Sequence, residues 1–421
     1  MWDPYSQFTS HKLSNGLNIW KLHLPGRPWE KVRVIVHTGY SSDPVGKEGL
    51  AHFCEHLVKA QYPTNSDELR SRFESYGGSA SFGATGPGDT FYEFTIPLAF
   101  GGEDTLSWAY EVYRDLLTLP ASLQKSQLKD VEKERKIIVS EFHREFPMSW
   151  RYPLQANFRA NLYPGLWQSR VTNGLGSLDS IAQLTEEDVI GFFRKWYAPS
   201  NMTIVSVGGA KQEDVCEVVD RKFVSLPFSS NVRHSRVITE DVPLPLCGEV
   251  VACVDSATRS DISVAGLLPS STSSGIVGVL SQMLSKSVFE DVRQKRHLAY
   301  SASCSSIWWD NSIQLKMSAT GVSPDAESLV RVCLLNALER VVADHNLFER
   351  SQQNLVAGKS MIDPNGNSFR SGAGWDITQF GRVISLTEEV AELKNVTHDD
   401  IRSLVDLWLV PERLLTLVTK P

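Results

Sequence analysis

The sequence lacks the features that would direct it to a membrane, to secretion or to nucleic acid. No apolar run approaches the roughly 18 residues that a membrane-spanning helix needs. The first seven residues, MWDPYSQ, have neither the basic nor the apolar region of a targeting peptide. The formal net charge of the 421 residues is -7, without a block of like charges. We therefore expect no membrane and no nucleic-acid partner.

The sequence also has few cysteines. The six are scattered and form no C-x-x-C pair: Cys54, Cys216, Cys247, Cys253, Cys304 and Cys333. In a chain of this length such a pattern is not a disulfide framework, and it is typical of a reducing compartment. We therefore expect a cytoplasmic protein.

The sequence does contain an ordinary balance of residues and a loosely repeated order of elements. Apolar residues make up 42% and charged residues 22%, as in globular proteins, and the length suggests two or three domains. A helix, a proline turn and an apolar strand follow one another in residues 185–208 and again in residues 397–418. We therefore predict an α+β protein of two homologous domains, residues 1–228 and 249–421, joined by a Pro/Ser-rich linker, 229–248.

One short motif carries recognisable chemistry. His52 and His56 lie four residues apart with Glu55 between them, in a segment that reads as a helix. Positions i and i+4 share a helix face, so both imidazoles can bind one metal ion while the carboxylate accepts a proton from water. The order His-x-x-Glu-His is the inverted zinc-peptidase motif. The same five residues can also arise by chance on a polar helix face.

A third metal ligand is sought in a downstream helix that is rich in glutamate. Glu132, Glu134, Glu141 and Glu145 are its candidates. A glutamate would complete the His₂Glu set of a catalytic zinc site. Glutamate-rich faces are more often merely solvated, and spacing alone does not choose among the four.

Taken together, these segments resemble the pitrilysin / mitochondrial processing peptidase family of zinc peptidases. The similarity covers almost the whole chain and is densest in residues 12–17, 49–56, 134–141, 174–181 and 292–301. It implies two domains in which a mostly antiparallel sheet packs with helices, together forming half of a clam-shell chamber. It also implies one Zn²⁺ per chain, with His52, His56 and Glu141 as ligands.

The resemblance assigns further roles. Glu55 is the general base, and Glu134 is a carboxylate that supports the ligands. Arg293 and Tyr300 would reach the active site from the second half and stabilise the oxyanion. Without the family, Arg293 could simply cap a helix and Tyr300 could simply pack; His297 stands between them where the family usually has glycine.

Substrate binding is also implied, on a strand that follows Gly77-Gly78. Ser81 is nearest to the position where the family usually has an asparagine that contacts the substrate backbone, and Phe82 lies beside it. A peptide would add to the edge of this strand through main-chain hydrogen bonds.

The family's chamber contains four such α+β units and this chain has two, so the resemblance implies a dimer. A homodimer is expected, and a heterodimer with a degenerate homologous subunit is the alternative. The expected function is a zinc endopeptidase that acts on peptides or unfolded segments. Two alternatives remain: a processing protease dedicated to one peptide precursor, and a non-catalytic peptide-binding or assembly subunit.

Overall fold

The structure is a computed structural model that describes residues 2–98, 104–124, 127–226, 238–254, 258–359, 361 and 366–421. Residue contacts divide it into two compact units. Unit 1 consists of Met1–Glu145, Asn173–Ser235 and Asp363–Leu386. Unit 2 consists of Phe146–Thr172, Arg236–Ile362 and Thr387–Pro421. No helix of the described residues is long and apolar enough to cross a membrane.

Unit 1 is built on one mixed sheet, whose strands are β1 (Thr9–Lys12), β2 (Asn18–His23), β3 (Trp29–Val36), β4 (Ser79–Thr85), β5 (Thr90–Pro97) and β6 (Met202–Gly208). Their order across the sheet is β1-β2-β6-β3-β5-β4, and β2 and β6 are its parallel pair. The β-branched alternation of β3 explains its central place, because Val32, Val34 and Val36 are all buried. β4 is an edge strand.

The helices of unit 1 are α1 (Leu50–Gln61), α2 (Ser66–Ser75), α3 (Thr105–Ser122), α4 (Val131–Glu145), α6 (Leu178–Gln183), α7 (Glu186–Trp196), α8 (Gln212–Phe223) and α12 (Asn367–Phe380). Local sequence explains several ends. The side chain of Asn65 accepts hydrogen bonds from the Asp67 and Glu68 N–H groups and starts α2. Thr185 and Asp188 form a capping box that starts α7.

Unit 2 has its own sheet, formed by β7 (Glu249–Cys253), β8 (Ser260–Pro269), β9 (Ser301–Trp308), β10 (Ser312–Val322) and β11 (Leu414–Lys420). Their order is β7-β11-β8-β10-β9. Its helices are α5 (Arg151–Leu162), α9 (Ser274–Val288), α10 (Glu327–Ala343), α11 (His345–Gly358), α13 (Leu386–Asn395) and α14 (His398–Trp408). A π-helical turn, Phe289–Lys295, continues α9. An apolar core of this unit joins α9, α10 and α14 to β8 and β10.

The two sheets have the same connectivity, which confirms the predicted pair of α+β repeats. In each repeat the first strand pairs in parallel with the last, and the last pairs antiparallel with the second. A helix follows the second strand: α1 in unit 1 and α9 in unit 2. The β2-β6-β3-β5-β4 order therefore matches β7-β11-β8-β10-β9, and β1 is an addition to the first repeat.

The units are not contiguous in sequence, because each takes a segment from the other half of the chain. α12 packs in unit 1, where Arg370 pairs with Glu93 of β5 at 3.0 Å. Glu93 also pairs with Arg33 of β3 at 2.6 Å. α5 packs in unit 2, where the Asn161 carbonyl accepts a hydrogen bond from the Leu246 N–H. Neither segment carries a periodic pattern that assigns it to a particular sheet.

Some predicted boundaries differ from the structure. The sequence pattern predicts two helices, at roughly 103–118 and 122–145, whereas α3 runs to Ser122 and α4 begins only at Val131. Asp130 has φ 58, a left-handed conformation that ends the preceding segment, so no helix continues through it. Of the predicted linker, residues 229–237 lie outside the described residues, and the division at 228 and 249 stays a prediction.

A buried ion pair lies at the centre of the first sheet. Lys21 Nζ of β2 is 2.6 Å from Glu30 Oε1 of β3, and the two side chains are 1% and 0% exposed. Ser206 Oγ and the Ala210 N–H also donate to this carboxylate. Burial lowers the pKa of Lys21 and raises that of Glu30, against their mutual attraction. Such a pair is costly to break from one side, because the remaining charge stays buried.

Lys21→Met should therefore lower the free energy of unfolding of unit 1 by about 3–5 kcal/mol, as measured by urea denaturation. The same substitution at Lys12, which is exposed on β1, should change it by less than about 0.5 kcal/mol. If the two variants had equal free energies of unfolding, the Lys21 ammonium group and its pairing with Glu30 would contribute nothing to stability.

Candidate metal centre

The candidate centre is built on α1, whose sequence gives it one buried apolar face and one face that carries both histidines. Leu57, Phe53 and Cys54 are fully buried. His52 and His56, one turn apart, have ring centroids 4.6 Å apart. The helix begins at Gly49, which has no capping side chain of its own. Asp43 supplies the cap instead, because its carboxylate accepts hydrogen bonds from the Gly49 N–H at 2.7 Å and the Ala51 N–H at 2.8 Å.

Glu141 of α4 completes a triangle with the two histidines. Its Oε2 lies 3.6 Å from Nε2 of His52 and 3.5 Å from Nε2 of His56. Glu55 is farther from this triangle, with its Oε2 3.8 Å from His52 Nε2. Since Glu141 faces both imidazoles about equally, it occupies the third corner and Glu55 stands beside it.

These separations fit a tetrahedral zinc ion. Zinc binds imidazole nitrogen at about 2.0–2.1 Å and carboxylate oxygen at about 2.0–2.2 Å, so neighbouring ligand atoms lie about 3.4 Å apart. The 3.5 and 3.6 Å separations involving Glu141 are close to that value. Potential ligand atoms of His52, Glu55 and His56 also lie within 4.8 Å of one another. Two neutral nitrogens and one carboxylate are the donor set of a catalytic site that keeps a fourth position open.

His52 is held in the neutral state that metal binding needs. Burial, with smaller contributions from the neighbouring His56 and Lys59 charges, lowers the pKa of His52 to about 3. Its lone pair is therefore available throughout the neutral range. Its Nδ1 is buried and has no hydrogen-bond partner among the described residues.

His56 is oriented by a second carboxylate. Glu134 Oε2 lies 3.0 Å from His56 Nδ1 and 3.7 Å from Lys59 Nζ. Burial alone would raise the pKa of Glu134, but the His56 hydrogen bond and the Lys59 charge outweigh it, and the pKa is lowered. A carboxylate at Nδ1 keeps the proton there, so Nε2 faces Glu141 as a ligand.

Glu55 is buried beside the triangle and lies against the bulged edge strand β4. Thr85 Oγ1 donates to Glu55 Oε2 at 3.3 Å. Burial raises the pKa of Glu55, in spite of the nearby His56 and Lys59 charges. A carboxylate whose proton affinity is increased in this way is suited to general-base work near neutral pH.

Gly83 makes room for Glu55, a role that sequence reasoning missed. A Cβ at this position would lie 2.4 Å from both Cγ and Oε1 of Glu55, and the backbone has φ +141. The glycine also falls where the β4–β5 register shifts, between Ser81 and Ala84. The sequence shows only a glycine-rich stretch, residues 83–88, which predicts a flexible hairpin. β4 continues to Thr85 and pairs antiparallel with β5 from Thr90, so the stretch does form a hairpin.

The residues around the centre enclose a cavity of about 310 Å³. It is lined by His52, Glu55, His56, Gly83, Ala84, Thr85, Glu141, Asn173, Gly174 and Leu175. Gly174 and Leu175 belong to a segment that the sequence singles out only by its resemblance to the family, and Asn173 directly precedes it. Gly174 has φ +83, and a Cβ there would lie 2.4 Å from the Tyr40 ring, so the segment packs closely on the loop before α1.

The structure brings His52, Glu55, His56, Glu134 and Glu141 together, and it places the predicted substrate residues on β4. Ser81 is exposed on that edge strand, and its carbonyl accepts a hydrogen bond from the Tyr113 hydroxyl at 3.0 Å. Phe82, in contrast, is 6% exposed. Its ring packs near Tyr113, and the role of Ser81 and Phe82 in substrate binding stays a prediction.

Arg293 and Tyr300 belong to unit 2. Arg293 lies in the π-helical turn, and its guanidinium is 5.7 Å from the centroid of the Tyr300 ring. Tyr300 is 79% exposed. His297 between them has φ 54, the left-handed conformation that favours glycine. The role of the pair in an active site stays a prediction.

Comparison with known families matches both repeats. A family described as "Insulinase (Peptidase family M16)" matches residues 23–154, which include α1 and α4. A second, described as "Peptidase M16 inactive domain", matches residues 183–355. Together the two matches cover well over half of the chain. The chain belongs to the M16, or pitrilysin, peptidase family.

Individual M16 relatives are distant in sequence. The mitochondrial-processing peptidase subunit beta of Neurospora crassa is 22% identical over 256 residues, 60% of this chain and 51% of that subunit. The probable zinc protease PqqL of Haemophilus influenzae is 25% identical over 225 residues, 51% of this chain and 23% of that protease. The matches therefore span about half and about a quarter of these relatives. A protease from Helicobacter pylori shares the fold, with a TM-score of 0.81, 18% identity and 100% coverage of both chains.

The M16 inactive-domain match agrees with the content of the second repeat. α9 is the counterpart of α1, and its sequence, SGIVGVLSQMLSKSV, contains no histidine, aspartate, glutamate or cysteine. Its Val279, Leu280 and Met283 lie in the apolar core. Among the described residues, the cluster that could hold a metal ion thus lies in the first repeat.

Glu134→Gln should weaken zinc binding by roughly 10–100-fold, because it removes the charge that keeps the His56 Nδ1 proton in place. Competition with a chromogenic chelator would measure the zinc affinity. Glu145→Gln is the matched control, since Glu145 is exposed at the end of the same helix. Equal zinc affinities for the two variants would contradict an orienting role of Glu134.

Proposed function

We propose that this protein is a zinc-dependent endopeptidase that hydrolyses peptides or unfolded segments. The observation that carries the proposal is the convergence of His52, His56 and Glu141 around one point, with Glu55 buried beside it. When bound there, Zn²⁺ would supply a Lewis acid that lowers the pKa of water to about 7 and polarises the peptide carbonyl. M16 membership and the name of the Haemophilus relative support zinc as the metal.

The protein's own residues divide the remaining work. His52, His56 and Glu141 hold one ion per chain. Glu55 accepts the proton of the attacking water and delivers it to the leaving amine. Burial raises its pKa, and Thr85 donates a hydrogen bond to it, which leaves the carboxylate suited to gain and lose that proton.

Substrate would bind along β4. This strand pairs with β5 on one side only, so main-chain groups of its other edge are available for strand addition. Ser81 is exposed on it. Arg293 and Tyr300 are proposed to steady the substrate and the oxyanion, as the family resemblance implies.

A dimer is the proposed assembly. The Neurospora relative is named as a subunit, and the chain spans only about a quarter of the Haemophilus protease. Both facts support a chamber made from more than one such pair of units. A homodimer is the simpler form, since this chain carries both the zinc motif and the Arg293/Tyr300 pair; a heterodimer with a degenerate subunit is the alternative. A reducing, cytoplasmic location stays a proposal that rests on the scattered cysteines of the sequence.

A non-catalytic, peptide-binding subunit is the second candidate function. The match of residues 183–355 to an inactive domain favours it. The complete set of His52, Glu55, His56 and Glu141 favours catalysis, because a binding subunit needs no general base. A protease dedicated to one peptide precursor would share this chemistry and differ only in substrate range.

Glu55→Gln should retain one zinc per chain and lose peptide hydrolysis by at least about 10²-fold, because it removes the general base without removing a ligand. Mass-spectrometric mapping of cuts in a peptide library would measure the loss, and size-exclusion chromatography would give the oligomeric state. A wild-type protein that binds zinc but cuts no library member would support the binding subunit. A protein that binds no zinc would end the proposal.

Gly83→Ala should reduce hydrolysis by a similar factor of about 10², since the added methyl displaces Glu55 rather than a metal ligand. Zinc stoichiometry should stay at that of the wild type. Gly88→Ala is the matched control in the same stretch, because a Cβ at Gly88 meets no atom within 4 Å. Full activity of the Gly83→Ala variant would show that Glu55 tolerates a different position.

A further inference from the structure

The cavity at the metal centre is rich in hydrogen-bond acceptors and poor in donors. Its lining includes the carboxylates of Glu55 and Glu141, and the facing imidazole nitrogens are the proposed ligand atoms. The Thr85 hydroxyl is already a donor to Glu55. His52 Nδ1 is buried and so not offered to a substrate. Among the other described side chains that line the cavity, the Asn173 amide is the donor left for a substrate.

The orientation of the Asn173 side chain is fixed by a local hydrogen bond. The Leu175 N–H donates to Asn173 Oδ1 at 3.2 Å. An N–H can be accepted only by the oxygen of the amide, so this bond identifies which branch is Oδ1. Nδ2 is consequently the opposite branch, and it has no hydrogen-bond partner among the described residues. Asn173 is half-buried and is one of the residues that line the cavity.

The segment that carries Asn173 packs closely against the residues that precede the N-terminus of α1. Gly174 lies against the Tyr40 ring. The Leu175 carbonyl approaches Gly49 so closely that a Cβ there would be 2.5 Å from it. Ser180 Oγ donates to the Glu48 carbonyl at 2.8 Å. Asn173 is thus fixed relative to the start of the metal-binding helix, and a donor fixed in advance loses little freedom on binding.

We propose that Asn173 is a substrate-binding residue whose Nδ2 donates a hydrogen bond to a main-chain carbonyl oxygen of the peptide bound in this cavity. The proposal rests on the peptidase function proposed above and adds a contact made by unit 1 itself. A peptide carbonyl that enters an acceptor-lined cavity needs a hydrogen-bond donor. An uncharged amide supplies one without forming an ion pair with Glu55 or Glu141.

Asn173→Asp tests the donor directly. The carboxylate still accepts the Leu175 N–H and so keeps the local turn, but it cannot donate, and it repels a carbonyl oxygen. We expect KM for a library-derived peptide to rise at least tenfold with an unchanged melting temperature and zinc content. Asn173→Ala should raise KM too, by less, since it adds no repulsion. Asn346→Asp, at an exposed position of α11, controls for the change in net charge.

Binding provides a second measurement that does not depend on turnover. In the Glu55→Gln background, fluorescence anisotropy of a labelled peptide should show a Kd at least tenfold higher for Asn173→Asp. If Asn173 only shapes the turn, Asn173→Asp will match its parent in both KM and Kd and only Asn173→Ala will be impaired, which overturns the proposal. If Asn173→Asp loses zinc, the test passes to Asn173→Ala. A KM of Asn173→Ala equal to that of the wild type then overturns the proposal.

The outcomes separate this inference from the proposed function. If the wild type cuts peptides and Asn173→Asp has the same KM and Kd, only the inference about Asn173 is contradicted. A wild type that binds peptides without cutting them removes the proposed function, and the Kd comparison then decides the role of Asn173. A wild type that neither binds nor cuts peptides removes both.

Discussion

The centre depends on how the N-terminus of α1 is held. The first N–H groups of a helix have no partner within it, and they carry the positive end of its dipole. Gly49 cannot cap them with a side chain, so the buried carboxylate of Asp43, from the preceding loop, accepts two of these N–H groups. Since both histidines and Glu55 lie within the first two turns, any rotation of this end would move all three at once.

The second repeat solves the same problem with different residues. α9 starts with a Ser273 cap, and Glu392 of α13 accepts hydrogen bonds from Ser273, Ser274 and the Gly275 N–H. A carboxylate from outside the helix therefore anchors each repeat's equivalent helix. What differs is the face that the helix presents: imidazoles and a carboxylate in α1, and apolar side chains in α9. The two repeats share an architecture, and only one has kept the chemistry.

The sequence predicts the framework of this centre well and its surroundings poorly. The His52 and His56 spacing requires only a helix, and the strands and helices of both repeats follow from period and turn residues. Choosing Glu141 over the other glutamates of α4 needed the family resemblance, because one helix face carries several of them. Gly83, Asp43 and Asn173 were not predicted, since their roles come from contacts between segments far apart in sequence. Phe82 was assigned to the substrate from its position; its ring is buried, and its role in substrate binding stays a prediction.

The exchange of α5 and α12 between the halves of the chain has a consequence for how the protein is made. A ribosome that has produced residues 1–228 has supplied every strand of the first sheet and the complete metal centre, but not α12. Arg33 and Glu93 would then lack Arg370, and the sheet surface around Ile35 would lack its cover. Translation must therefore reach the end of α12 before this helix can cover the first sheet. The two units are thus coupled in the order of their synthesis, although each has its own sheet.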